Sequence, residues 1–133
     1  MSQNLDLVRS IYSDWESGDF SRAAWADPEI EFVATDGPAP GTWIGAAEMA
    51  RAWGETLSAF TDFRIVAESY RELDDARVLA LHDWSGHGKS SGLSVERMRT
   101  KSACVFHIRH ATVTTLRAYW NRDRALADLG LAE

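Results

Sequence analysis

Hydrophobic positions in the first third of the chain recur every three to four residues, and from residue 63 onward they alternate with polar ones. Leu5, Val8, Ile11/Tyr12 and Trp15 fall on one helical face, with Ser2 or Asn4 as N-cap and Gly18 just past the end. Asp19 is then placed to cap a short second helix carrying Phe20, Ala23, Ala24 and Trp25, which Pro28 ends. Residues 29–35 alternate as a strand, and Asp36-Gly37-Pro38-Ala39-Pro40-Gly41 follows as a rigid loop. A third helix is expected from Ala46 to Phe60, with Met49, Trp53, Leu57 and Phe60 on one face. Gly54 inside it costs ~1 kcal/mol relative to alanine, which points to a close packing contact at that position.

The two-residue period predicts strands at 63–72, 77–89, 93–109 and 112–120. They turn at Asp74-Asp75, at Lys89-Ser90-Ser91-Gly92 and at His110-Ala111. A strand rises ~3.3 Å per residue, so the run 93–109 has to bend or bulge in a domain this small. Asn121 is expected to cap a last helix, Arg122 to Leu129, closed by Gly130. Helices first and a bent, mainly antiparallel sheet after them define an α+β fold, here one domain spanning residues 1–133.

Composition narrows the function classes. With twenty acids against fourteen bases and a formal charge of -6, a phosphate-binding surface would work against the overall field, so nucleic acid is not an expected partner. No apolar run approaches the ~18 residues of a spanning helix, and the polar start MSQNLD lacks the regions of a secretory signal. No membrane association and a cytoplasmic location are therefore expected. The single cysteine, Cys104, rules out an intrachain disulfide and a multi-thiolate zinc site. Six tryptophans are the compositional oddity, and large aromatics either line a ligand cavity or fill a core.

The chain resembles the SnoaL-like branch of the nuclear transport factor 2-like superfamily from end to end. The matching segments are Tyr12-Ser13-Asp14-Trp15-Glu16-Ser17-Gly18-Asp19, Ala26-Asp27-Pro28-Glu29-Ile30-Glu31-Phe32 and Trp43-Ile44-Gly45. Gly86-His87-Gly88-Lys89-Ser90-Ser91-Gly92 and Asn121-Arg122-Asp123-Arg124-Ala125-Leu126 complete the set. The resemblance implies a cone-shaped, strongly curved mixed or antiparallel sheet covered by three N-terminal helices, a mostly apolar cavity and a homodimer joined through the outer sheet face. It implies little about chemistry, because a fold does not fix an activity. Steroid isomerase chemistry is disfavoured: the positions of that branch's catalytic base, oxyanion-hole acid and tyrosine correspond here to Val33, Cys104 and Ile11, with Tyr12 one place off.

Strand parity selects the residues facing the cavity. His82/Trp84, Cys104/Phe106 and Leu116/Trp120 share the apolar face, with Trp15 and Trp53 covering them from the helices. Asp83, His87, Arg109, Arg117 and Tyr119 lie opposite, as a solvated outer face or a dimer interface. His82 is the one titratable group among those aromatics and is the candidate general base, against the alternative of a core histidine satisfied by one hydrogen bond. Asn121 and Tyr12 are candidates to orient a substrate, although asparagine is also among the best N-caps. Cys104 is a nucleophile only if His82 activates it, and otherwise packs. No carboxylate accompanies His82 inward, so neither a metal nor a cofactor is expected. Two functions fit: binding of a small apolar, polyketide- or terpenoid-like molecule with cofactor-independent isomerisation, cyclisation or dehydration, or a non-catalytic ligand-binding or dimerisation module whose tryptophans fill the cone.

Overall fold

The computed structural model describes residues 3–19, 24–36, 40–58, 60–88 and 97–131. The elements run α1 (Gln3–Glu16), β1 (Ala26–Ala34), β2 (Gly41–Ile44), α2 (Ala46–Ser58), β3 (Phe60–Glu72), β4 (Arg77–Gly88), β5 (Arg97–Arg109), β6 (Thr112–Tyr119) and α3 (Arg122–Asp128). The six strands form one sheet in the order β2-β1-β6-β5-β4-β3. Its neighbours pair antiparallel except β1 with β6, which run parallel, so the sheet is mixed and ends in two unpaired edges, β2 and β3.

Helix α1 follows its apolar period: Val8, Ile11, Tyr12 and Trp15 are all buried. It ends as the glycine predicts, because Gly18 has φ +90° while its N–H bonds to Trp15 O and the Asp19 N–H to Asp14 O. Asp19 therefore takes part in closing the first helix. Ala24 and Trp25 form a turn and β1 already begins at Ala26, so the short second helix is not found at its C-terminal end; its residues 20–23 lie outside the described ones. Pro28 sits within β1, where the pairing to β6 shifts register between Ala26 and Glu31, a place in a strand that tolerates the missing N–H. Asn4 is no cap but a first-turn residue, whose side-chain amide donates to Asp75 O; Ser2 lies outside the described residues.

The loop after β1 gives way at Gly41 to a short strand, β2, that the sequence pattern does not show. Gly45, at φ +102°, turns it into α2. Phe60 starts β3 and does not end α2. Among the described residues two helices, α1 and α2, are N-terminal and α3 is C-terminal, so three N-terminal helices are not all seen.

The main core lies between one sheet face and helices α1 and α2, around Tyr12, Trp15, Phe32, Ile65, Val78, Trp84, Phe106 and Leu116. A smaller core occupies the opposite face, where α3 covers Leu79, Ala103, Val105 and Tyr119 with Ala125 and Leu126. The outer face is therefore apolar under α3. Tyr119, assigned there to a polar surface, is buried and donates its hydroxyl to Asp128 Oδ2 at 3.1 Å. Asn121 caps α3 through Oδ1, which accepts from Arg124 N, and Gly130 at φ +69° closes it.

Gly54 is exposed, and a Cβ built on it meets nothing within 4 Å, so no packing contact requires it. Gly54→Ala should therefore stabilise the protein by about 0.5–1 kcal/mol, read as a higher urea midpoint at unchanged slope. The β5–β6 turn places two non-glycine residues in left-handed backbone, His110 at φ 52° and Ala111 at φ 60°. That pair of angles suits Asn-Gly. Replacing His110-Ala111 by Asn-Gly should raise the melting temperature through about 1–2 kcal/mol of relieved strain, and no rise would show the turn to be unstrained.

Candidate functional site

The inner face of the sheet, as parity required, brings His82 and Trp84 of β4 beside Cys104 of β5. Together with Trp53 of α2, Phe63 and Ile65 of β3, Ser102 and Ala103 of β5, and Ala118, Tyr119 and Trp120 at the end of β6, they line a cavity of about 40 Å³. Its wall is aromatic and aliphatic except for an imidazole, a hydroxyl, a thiol and indole N–H groups. Phe63 stacks on Trp84 with ring planes 18° apart, and Trp120 meets Trp84 edge to face at 4.3 Å between centroids.

His82 is 4% exposed. Its Nδ1 lies 2.7 Å from the Tyr12 hydroxyl, itself buried, which makes this a buried polar link between α1 and the sheet. Burial first, then the positive charge of Arg122, pushes the imidazole pKa down to about 3, with Glu68 opposing. His82 is therefore neutral at physiological pH. Tyr12 is held well above the ordinary phenol range, again mainly by burial, and keeps its proton. Burial also pushes Cys104 up to about 12, with the Tyr12 hydroxyl opposing. The thiol is thus protonated, which counts against the nucleophile reading of Cys104.

Under the opposite sheet face, Arg122 is 7% exposed. It donates to the backbone oxygens of His82 at 3.0 Å and Ser102 at 3.4 Å, and pairs with Glu68. Lys101 lies 3.5 Å from Glu68 and 3.6 Å from Asp83. This cluster escaped the sequence reading. A β3 bulge between Ala67 and Ser69 sets Glu68 out of alternation, and Arg122 is 54 residues away in the chain. Phe63 and Ile65 were missed for a related reason: no parity could be assigned to β3, whose register also shifts between Thr61 and Arg64.

Of the other expected site residues, Tyr12, Trp15 and Phe106 stand in the core behind the cavity, outside its lining. Trp15 packs against Trp53, whose ring lines it, at 5.4 Å between centroids. Asn121 is exposed and likewise outside the lining; its side chain caps α3. Asp36 accepts from Trp120 N at 2.7 Å and Asn121 N at 3.1 Å, so this acid fixes the backbone at Trp120. The side chain of His87 lies outside the described residues. Among the described residues no group of three or more His, Cys, Asp or Glu could hold a metal ion, and no helix is long and apolar enough to cross a membrane.

No family model and no curated protein matches the sequence. Solved structures do match. An NTF2-like protein of unknown function from Burkholderia pseudomallei K96243 superposes with a TM-score of 0.78 at 17% identity, over 96% of this chain and 97% of that one. The chain has the nuclear transport factor 2-like fold. TerC, solved in co-crystals with polyporic acid, shares it with a TM-score of 0.75 at 16% identity, over 96% and 98% of the two chains. A candidate SnoaL-like polyketide cyclase from Jannaschia sp. CCS1 does so at 0.73 and 12%, over 98% and 94%. The resemblance drawn from the sequence is thereby borne out at the level of fold.

The shifted imidazole has a consequence for stability. The folded pKa of His82, about 3, lies below its unfolded value near ~6.5, so between those limits the unfolded chain binds the extra proton. Stability must fall as pH drops through this window, by at most about 1.4 kcal/mol per pH unit from this group, and owe nothing to it above ~6.5. His82→Asn retains an acceptor for Tyr12 and does not titrate. Denaturant melts should show the wild type losing stability faster than this variant between pH 6.5 and 4; parallel curves would mean that the histidine is not held neutral.

Proposed function

We propose that the protein binds a small apolar molecule in the cavity beside His82. The observation that carries this reading is a single neutral imidazole set in an aromatic wall, with Nδ1 engaged by Tyr12 and its other ring nitrogen, Nε2, uncommitted among the described residues. A site of a few polar groups on an apolar, enclosed surface is how small-molecule pockets obtain both affinity and orientation. TerC, with the same fold and co-crystallised with polyporic acid, supports it, as do the neighbours named as candidate polyketide cyclases.

The volume sets a condition. About 40 Å³ holds water and not a polyketide- or terpenoid-like metabolite, so a ligand of that size enters by displacing wall residues. Trp53, Phe63 and Trp120 are only half-buried, whereas Trp84 is 3% exposed. The first three are the movable part of the wall. Curvature of the sheet into a cone, with these rings across its mouth, belongs to the same proposal, as does pairing of two copies through what α3 leaves open of the outer face.

If the bound molecule reacts, the chemistry is cofactor-independent isomerisation, cyclisation or dehydration with His82 as the acting group. A conjugate acid with pKa about 3 makes the free imidazole a weak base, and proton abstraction works best when that value approaches the working pH. The neutral ring is better suited to hydrogen-bond a carbonyl as charge develops on it. Asn121, exposed on its cap, takes no part in this scheme.

The small volume also favours a second reading, a non-catalytic module whose rings simply fill the core. Thermal shifts with a panel of planar apolar carbonyl compounds separate the two. A ligand at 100 times its Kd should stabilise the fold by ~2.7 kcal/mol, and a panel without any shift would leave the filled module. For any compound found to turn over, His82→Gln should lower kcat by 100-fold or more, and an unchanged kcat would remove His82 from the chemistry.

A further inference from the structure

Trp84 forms part of the cavity wall and is almost wholly buried, yet its indole Nε1 finds no hydrogen-bond partner among the described residues. A buried donor without an acceptor costs about 1–3 kcal/mol, which is a reason to ask what completes it. The side chains in ring contact with it, Phe60, Phe63 and Trp120, carry no oxygen or nitrogen acceptor. The Ser102 hydroxyl, also in the lining, donates to Trp120 O and does not accept from Trp84 Nε1.

The second polar group on the wall has a proton placed by its neighbours. Tyr12 keeps its hydroxyl proton, and a 2.7 Å contact between a phenol and an imidazole nitrogen is an O–H···N bond of good length. With Nδ1 accepting from Tyr12, the neutral ring carries its own proton on Nε2. The cavity then offers two N–H donors, from Trp84 and His82, and no charged side chain in its lining.

We infer that the ligand of this cavity carries a neutral oxygen acceptor, a carbonyl, and that Trp84 Nε1–H is the donor that selects it over the corresponding hydrocarbon. This rests on the proposed binding function and adds the recognition element to it. A carboxylate is disfavoured because no cation in the lining would offset its loss of water. Satisfying an already buried donor costs no further desolvation on the protein side, so the hydrogen bond shows as a clear preference between isosteric ligands.

The test uses cyclohexanone and methylenecyclohexane, which differ only in the acceptor, with the full chain in 15N-labelled form. The expected result is a downfield displacement of the Trp84 indole N–H by the ketone alone, with the ketone bound on the order of tenfold more tightly than the alkene. Benzothienylalanine at position 84 keeps the bicyclic shape and replaces N–H by sulfur; there the preference should vanish while both probes still bind. Equal binding of the two probes in the wild type would overturn the inference and leave the binding function standing. So would a ketone preference that survives the sulfur analogue, which would assign selection to His82. An indole proton shifted upfield by the Trp120 ring and unmoved by bound ketone would overturn it too, since the N–H would then be satisfied by the π face. Binding of neither probe would remove this inference together with the proposed pocket.

Discussion

The hydrogen bond between the Tyr12 hydroxyl and His82 Nδ1 joins two side chains that each need the other. Tyr12 is fully buried on α1 and meets Trp15, Tyr70 and Phe106 edge-on, so its hydroxyl has no route to water. His82 is buried on β4 and would pay the desolvation of a ring nitrogen if left alone. Their pairing, together with the Ala67 N–H that donates to Glu16 Oε2 at 2.8 Å, fixes where α1 lies along the sheet. That position in turn sets Trp15 against Trp53 of α2, and Trp53 lines the cavity. The wall thus inherits part of its geometry from one buried polar contact, while the apolar area around it supplies the bulk of the stability.

Charge is kept on the other side of the sheet. Arg122 gathers Glu68 and two backbone oxygens beneath β4 and β5, and Asp83 lies 3.8 Å from it. A guanidinium this buried is tolerable only because several acceptors replace its water, and removing one of them would leave it unbalanced. The arrangement anchors α3, a helix of seven residues that could not stand by itself. It also adds to the burial that, as the larger cause, keeps the imidazole above it neutral. Arg122 disfavours a second positive charge there, and the favourable field of Glu68 is the smaller effect.

Elements with a clean period were legible in the sequence. Val8, Ile11, Tyr12 and Trp15 named their helix, and the alternation through β4, β5 and β6 placed His82, Trp84 and Cys104 on one face. What was illegible had local signals too short or in conflict. β2 has four residues, fewer than an alternation needs to show, and it owes its existence to pairing with β1. The spacing of Phe20, Ala23, Ala24 and Trp25 suggested a helix, yet Trp25 lies in a turn that hands its carbonyl to Val113 N. Pro28 looked like a helix stop because nothing in the sequence announces the register shift that lets a proline sit within β1. The site was half legible for the same reason. Parity survives along unbroken strands, so β4 and β5 were readable, whereas the two irregularities of β3 hid Phe63, Ile65 and Glu68.

Cavity size is the property that no pattern of residue types could give, and it decides how the site must work. Face assignment says which side chains meet; only their packing says how much space they leave, and six tryptophans leave little. A protein that fills its own pocket with half-buried rings gains stability from each ring contact and loses part of it when a ligand parts them. Binding energy is then spent on opening before it is spent on orientation. The fixed elements of the wall are accordingly the informative ones. Trp84 and His82 are almost wholly buried, and their neighbours hold them in place whether or not the outer rings have moved. A ligand that displaces Trp53 or Trp120 therefore meets a preformed pair of polar atoms. Under the proposed binding function, selectivity among ligands that can open the wall would rest with these fixed groups, Trp84 first.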